Sequence, residues 1–425
     1  MKIRSILWTV LLVSVSVPAL AQELNKEKIK AFFSPDSTEE AIILEDPELM
    51  ERLRNMPNIE VGKGITFETQ NKLYKMTMRF RMQNLLGFDF DKDFSLTETE
   101  ARVKRLRLRF DGYIYSPKLV YSIQLGFTSY DTKTLPNEST NFVRDAMVYY
   151  VPNSVWNIGF GQTKIKANRA RINSSSALQF VDRSIVNSEF NLDRDFGFFG
   201  EYHKALIGNF NLAAKGSITL GDGRNWGNSK NTGFAYTGRL ELFPLGRFKS
   251  LGEVSEGDFQ RERTVKFMLG GAYSYNNKAT RLQGQNGAIM PDGETRNLNS
   301  YFVDFVLKYQ GFAFCTDFMG RACDKPLFTG DPETCIYTGN GVNVQTSYLF
   351  PSNWEIALRN STLFPEKKVQ AIIGYKNHNQ TTIGVTKYLI GHSLKIQADA
   401  SYNHKSEALD PYNRWELRFQ IELGL

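Results

Sequence analysis

From Arg105 to Ile114 the chain alternates without a slip. Leu106, Leu108, Phe110, Gly112 and Ile114 fall on one side, and Arg105, Arg107, Arg109, Asp111 and Tyr113 on the other. Strict alternation over this length marks a strand whose two faces meet different solvents. The pattern recurs at Met76, Met78, Phe80 and Met82 against Thr77, Arg79, Arg81 and Gln83. It returns at the end of the chain, where Trp415, Leu417, Phe419, Ile421, Leu423 and Leu425 oppose Glu416, Arg418, Gln420 and Glu422. One face suits lipid and the other water. After residue 22 no run approaches the roughly twenty apolar residues that a membrane-spanning helix needs. Mean hydropathy is below zero, as it is in transmembrane barrels, where lipid-facing and lumen-facing residues cancel. The 31 Phe and 19 Tyr fit the aromatic girdles that flank a barrel's apolar band.

The first 21 residues read as a secretory signal: Lys2 and Arg4, then the apolar run Ile6 to Val17, then Ala19-Leu20-Ala21 before Gln22. Residues 22–63 are charged and barely strand-like, with Asp46-Pro47-Glu48 opening a short helix to about Asn55. The expected role is a periplasmic leader ahead of a barrel over 64–425.

Along that barrel, connections alternate between short and long. The short ones fall at 116–118, 152–154, 204–208, 310–311, 351–353 and 391–392. The long ones fall near 131–141, 164–193, 221–232, 276–298, 320–340, 362–379 and 405–411, with a polar loop expected at 84–101. Short periplasmic turns and long external loops are the asymmetry of outer-membrane barrels. Residues 244–262 break the rule, forming a long link where a periplasmic turn is due. The count is sixteen antiparallel strands, or eighteen, with both ends periplasmic. VQAIIGYK, 368 onward, reads as a strand or as the outer half of a long one.

Other chemistries find little footing. The formal charge is +7, without the clustered basic face on a known module that nucleic acid requires; on a barrel, a positive excess suits an anionic solute or anionic lipid. Cys315, Cys323 and Cys335 lie within 21 residues. A disulfide between Cys323 and Cys335 and three free thiols both remain open readings, whereas the spacing fits no metal site. His404 and Ser406, two apart, have the spacing of a barrel phospholipase, but the strand end beside Lys405 is a poor setting for an activated serine. GDGRNWG (221–227) lacks the strand-to-helix context of a phosphate loop. The reading is non-enzymatic, with no cofactor.

Two constellations point to anions. If Leu106, Leu108 and Phe110 face lipid, then Arg105, Arg107 and Arg109 face a lumen, joined by Arg79 and Arg81 on the neighbouring strand. Guanidiniums present planar forks to phosphate or carboxylate oxygens, and rings of arginine or lysine favour anions in channels. The second is the long segment 164–193, in which Lys164, Lys166, Arg169 and Arg171 precede three serines at 174–176. An aperiodic loop of this length is usually functional or disordered. Asp182-Arg183 and Arg194-Asp195 are read as ion pairs that fix the loop.

The motifs GxGQxK (Gly159 to Lys164), SSSALQFVDRS (174–184) and RDFG (194–197) resemble the phosphate-selective porin O/P family. RLRLRFDGYIYSPKLVYSIQLGF and GVTKYLIGHSLKIQADASY extend the likeness over most of 64–425. The resemblance implies a sixteen-stranded, usually trimeric outer-membrane porin that conducts anions, its third external loop folded inward and its path lined by arginine and lysine. The family's arginine ladder is not evident after the loop, where NFNLAAKGSITL (209–220) holds only Lys215. The expected function is passive diffusion of small anions through a basic lumen narrowed by 164–193. The alternative is a closed scaffold barrel whose external loops bind a partner.

Overall fold

The computed structural model describes residues 58–60, 62–132, 141–225, 233–409 and 412–425. The expected signal, the helix near 46–55 and most of the leader lie outside them. The described strands are β1 (Asn58–Glu60), β2 (Gly64–Glu68), β3 (Tyr74–Phe90), β4 (Leu96–Ile114), β5 (Ser116–Gly126), β6 (Val143–Tyr150), β7 (Trp156–Lys164), β8 (Arg194–Ala205) and β9 (Asn211–Thr219). They continue as β10 (Ala235–Phe243), β11 (Lys266–Ala279), β12 (Arg296–Tyr309), β13 (Phe312–Ala322), β14 (Gly339–Leu349), β15 (Trp354–Pro365), β16 (Asn377–Ile390), β17 (Leu394–Ser406) and β18 (Tyr412–Gly424).

From β3 onward each strand pairs antiparallel with the next, and β18 returns to β3 with Trp415 opposite Phe90 and Glu422 opposite Gln83. Sixteen strands therefore close a barrel, which leaves no unpaired sheet edge to face lipid. The remaining two strands are a short hairpin: β1 pairs β2, and β2 pairs the first residues of β3, with Ile65 opposite Met78. β3 thus serves β2 first and β18 afterwards.

Two sequence expectations are corrected. Residues 84–101 are not a loop; β3 and β4 run through them, and only 91–95 connect. Register shifts at Gln83/Asn84 and Asp89/Phe90 interrupt the alternation while pairing continues, so the period-two signal fades where the strand does not. Residues 367–373 are not a strand but a helix, closed by Gly374 at φ 79°. The link 244–265 is long, as expected.

The lumen is identified by what fills it. Residues 165–193, between β7 and β8, bond to Arg81 of β3, Lys104 of β4, Arg239 of β10, Arg321 of β13, Arg359 of β15, Thr386 of β16 and Lys395 of β17. A segment that touches strands all round the ring lies inside it. Its backbone, with two short helices, is ordered by an internal apolar core: Ile165, Ala167, Ala170, Val186, Phe190 and Leu192 pack on Phe302, Met319, Tyr337 and Leu363. Each fully buried large apolar side chain contributes about 1.5–3 kcal/mol. Gly341 makes room for this contact, since a Cβ there would meet Val186 at 2.9 Å.

The link enters from the other end. Phe248 joins Phe243, Met268, Val306 and Cys315 in a second buried cluster. Ala279, Met290, Leu298, Cys323, Phe328 and Ile336 form a third, under the loops 280–295 and 323–338. The β10–β15 side of the lumen is therefore packed, and the polar space lies along β4–β8. Outside, exposed Ile158, Phe160, Phe198 and Tyr236 face lipid, and tilted ring pairs such as Trp156–Tyr202 and Tyr402–Trp415 mark the girdles.

Candidate functional site: a basic cleft inside the barrel

Two β-bulges build the wall of the cleft. On β4, Gln83 faces Arg105 and Asn84 faces Val103, which leaves Lys104 as the extra residue. On β6, Gln124 faces Asp145 and Leu125 faces Val143, which leaves Arg144 extra. A bulge turns its additional side chain away from strict alternation. Consequently Lys104 and Arg105, neighbours in sequence, are both buried in the lumen and both reach Asp182. Arg144 and Asp145 are both buried as well. Alternation assigns Lys104 and Arg144 to lipid, so sequence reasoning missed them.

Three loops complete the site. The helix α1 (Ser129–Thr132) presents Asp131, which accepts from Arg107 Nε at 2.6 Å and lies 3.0 Å from Arg144. Its neighbour Tyr130 lies beneath Lys104 and Arg105, at 5.4 and 4.8 Å from the ring centre. In the inward loop, α2 (Arg169–Ile172) and α3 (Ile185–Phe190) flank the serines. Arg171 bonds Asp193, while Arg183 donates to the carbonyls of Ala170 and Asn173, each at 2.6 Å. From the loop 220–234, Arg224 donates to the carbonyls of Asp131 and Thr132.

Arg105, Arg107, Arg144, Lys164, Arg171, Arg183, Arg194 and Arg224 line the cleft with only Asp131 and Asp193 as acids. That is eight basic side chains against two carboxylates in the lining, with Asp182 and Asp145 behind Arg105 and Arg194. Lys164 donates to the carbonyls of Ile172 and Asn173 at 3.2 Å. Lys164, Arg183 and Arg224 meet carbonyl oxygens, and Arg144 Nε and Arg224 Nη1 are buried with no hydrogen-bond partner among the described residues. In the loops, Arg107 and Arg144 hold Asp131 well below the usual carboxylate range against its burial, Lys104 and Arg105 do the same for Asp182, and Arg171 for Asp193. Burial depresses Arg183, and the fields of Arg171 and Arg105 add to it. Ser175 accepts from Arg81 at 2.6 Å and from Arg107 at 3.0 Å. A hydroxyl has two acceptor sites and one proton, so Ser175, which lines the cleft, keeps a proton to donate.

The residues expected from sequence separate into groups. Arg105, Arg107, Lys164, Arg171, Arg183 and Arg194 come together in the cleft, and Arg81 reaches it through Ser175. Arg79 and Arg109 do not: they face each other across β3 and β4 and share Asp111, at 3.2 and 2.8 Å. Lys166 lies 3.9 Å from Glu201, and Arg169 is buried 3.9 Å from Asp317. Asp182 and Arg194 form ion pairs with partners other than the expected Arg183 and Asp195. Asp182 binds Lys104 and Arg105, and Arg194 binds Asp145 at 3.0 Å. Arg183 binds carbonyls, and Asp195 accepts the amide of Gly221 at 2.7 Å. Arg194 also bonds its sequence neighbour Asp193 at 3.3 Å.

The Cys323–Cys335 disulfide is not formed. All three cysteines are free. Cys335 sits opposite Leu327 in an isolated bridge, while Cys323 packs on Ala279 and Leu298. His404 and Ser406 also part company: His404 Nδ1 lies 2.6 Å from Asn413, and Ser406 accepts the amide of Asn377.

Residues 76–421 match the family described as phosphate-selective porin O and P. The chain belongs to that family. The porin's barrel is also similar to three solved structures, at identities that speak for fold alone. The outer membrane channel DcaP of Acinetobacter baumannii aligns with TM-score 0.52 and 11% identity, over 85% of this chain and 100% of that one. An anion-selective porin from Comamonas acidovorans aligns with TM-score 0.50 and 11% identity, over 83% and 100%. Salmonella typhi OmpF, solved with daunomycin, aligns with TM-score 0.53 and 12% identity, over 84% and 100%. Comparison with curated protein sequences gives no significant match. Family and fold together make the chain an outer-membrane channel protein.

Proposed function

We propose that this porin passes small oxyanions of the phosphate type by passive diffusion, along β4–β8 and through the cleft narrowed by residues 165–193. The observation that carries the reading is the excess of eight basic side chains over two carboxylates lining that cleft. A buried cation without a carboxylate attracts a mobile anion, because desolvation is compensated only when charge is paired. Guanidinium forks, the Lys164 ammonium and the Ser175 hydroxyl supply the charged and neutral donors an oxyanion requires. Several partly committed donors favour transfer from one to the next over a single tight site. One structural relative is an anion-selective porin and the family is described as phosphate-selective, which supports this reading.

The same reading takes residues 1–21 as a cleaved signal, 22–63 as a periplasmic leader, and the working form as a homotrimer in outer-membrane lipid. The packing of the β10–β15 side of the lumen by the inward loop and the link favours a second reading, a closed scaffold barrel. One experiment separates them. The purified mature protein is placed in a planar bilayer under a salt gradient, and phosphate is then titrated against chloride current. An anion-selective reversal potential with phosphate block supports the proposal. A cation-selective current refutes the basic-cleft mechanism, and folded protein without current favours the scaffold.

A further inference from the structure

The link 244–265 does more than fill space, because its tip meets the inward loop beneath the cleft. Glu256 Oε2 accepts the amide of Gln179 at 2.9 Å and Gln345 Nε2 at 3.1 Å. The Glu256 amide lies 3.4 Å from the carbonyl of Ala177. Arg169 donates to the carbonyl of Ser255, and Gln179 Nε2 donates to Glu355 on β15 at 2.6 Å. Gln179, Glu256, Gln345 and Glu355 are all buried. The loop that carries Ser175 is thus joined to a segment that enters from the opposite end of the barrel.

The link is itself tied to the wall at a few points. Lys308 Nζ lies 2.7 Å from the carbonyls of Gly252 and Gly257, 3.1 Å from that of Ser255 and 2.9 Å from the Ser255 hydroxyl. Asp258 accepts the amide of Gly311 at 2.8 Å, and Phe259 packs between Tyr388 and His392 at 5.3 and 5.0 Å. The chain enters and leaves this arrangement through left-handed backbone at residues that are not glycine: Ser250 (φ 48°), Leu251 (φ 57°) and Arg261 (φ 46°). Such conformations persist only where the surroundings over-determine them, and they concentrate at switch regions and ligand sites.

We propose that residues 249–261 are a strut, with Glu256 as a positioning residue, that holds the inward loop against the cleft and so sets the width of the anion path from the turn side of the barrel. The inference rests on the channel reading. With the Glu256 carboxylate in place, Gln179 and Ala177 are fixed, and Ser174 to Ser176 follow along the same backbone. Without it the loop loses its support on one side while its apolar core on β12–β15 remains.

The test compares single-channel conductance and reversal potential of the intact protein with Glu256→Ala, Glu256→Gln and Lys308→Met. Lys308→Met keeps the side chain's volume but removes the link's tether, so it disturbs the strut from the wall side without touching the loop. The expected result is larger and more variable open-channel conductance for Glu256→Ala and Lys308→Met, with reversal potential shifted toward zero. Glu256→Gln retains an acceptor for the Gln179 amide and is expected to restore conductance close to that of the unmodified protein. Unmodified protein without conductance overturns the channel reading and the strut with it. A conducting protein whose Glu256→Ala and Lys308→Met variants keep unaltered conductance and selectivity overturns the strut alone. If Glu256→Ala does not fold, Lys308→Met decides, because a purely structural role would lower its stability and leave conductance unmoved.

Discussion

Lys164→Met isolates the contribution of one unpaired cation. Methionine matches the length and flexibility of the lysine stem, and among the described residues Lys164 holds no carboxylate that its loss would strand; its bonds go to the carbonyls of Ile172 and Asn173. Losing those bonds costs about 1 kcal/mol each, small for a closed barrel. The effect on an anion is larger. At an effective dielectric constant of about 20, a full unit charge contributes at most about 2 kcal/mol to an anion about 8 Å away. At about 1.4 kcal/mol per tenfold, that is at most about a thirtyfold loss of affinity, and salt reduces it. The assay is phosphate block of chloride current in a planar bilayer at low ionic strength, repeated at high salt, where the difference should shrink. Arg109→Gln serves as the control, since Arg109 is bound to Asp111 away from the cleft, and its block constant should move little. If Lys164→Met leaves block and reversal potential unchanged while Arg109→Gln shifts both, the anion path follows the arginine stripe and the reasoning from the cleft is wrong.

Three further outcomes are expected. Phe190→Ala removes a fully buried ring that packs edge-on against Tyr337 at 5.6 Å; a loss of about 3–5 kcal/mol should make residues 165–193 protease-sensitive while the barrel still resists denaturant, and a loop that stays protected would refute the internal core. Asp131, Asp182 and Asp193 are all held below the usual carboxylate range by neighbouring cations. Their contribution is therefore present above the unfolded value of about 3.9 and is lost as pH falls through the lower folded values. The loop protection these three supply should be flat between about pH 5 and 8 and decay only in strong acid, and release of Asp182 or Asp193 from its cation near neutrality would contradict this. Alkylation after unfolding without reductant should modify three thiols, Cys315, Cys323 and Cys335; recovery of one thiol would mean that Cys323 and Cys335 are joined after all.

The wall of this porin was legible in its sequence because a strand between lipid and water must alternate, and alternation survives in any single chain. Arg105 to Ile114 and Trp415 to Leu425 declare strand, face and membrane together, and the change of connection length declares the two ends. The inward loop was legible as an exception, long, basic and without period. What alternation hides is its own failure. The bulges that turn Lys104 and Arg144 into the lumen are set by pairing with β3 and β5, not by the residues themselves, and the same shifts made 84–101 look like a loop. Nor do the expected neighbours Asp182-Arg183 and Arg194-Asp195 pair with each other, since Asp182 reaches Lys104 on β4 and Arg194 reaches Asp145 two strands away on β6. Charge type and strand face are local properties, carried by each residue and its parity. Which cations converge, which are neutralised and which segments meet inside the barrel depend on closure of the ring, and only the tertiary structure decides them.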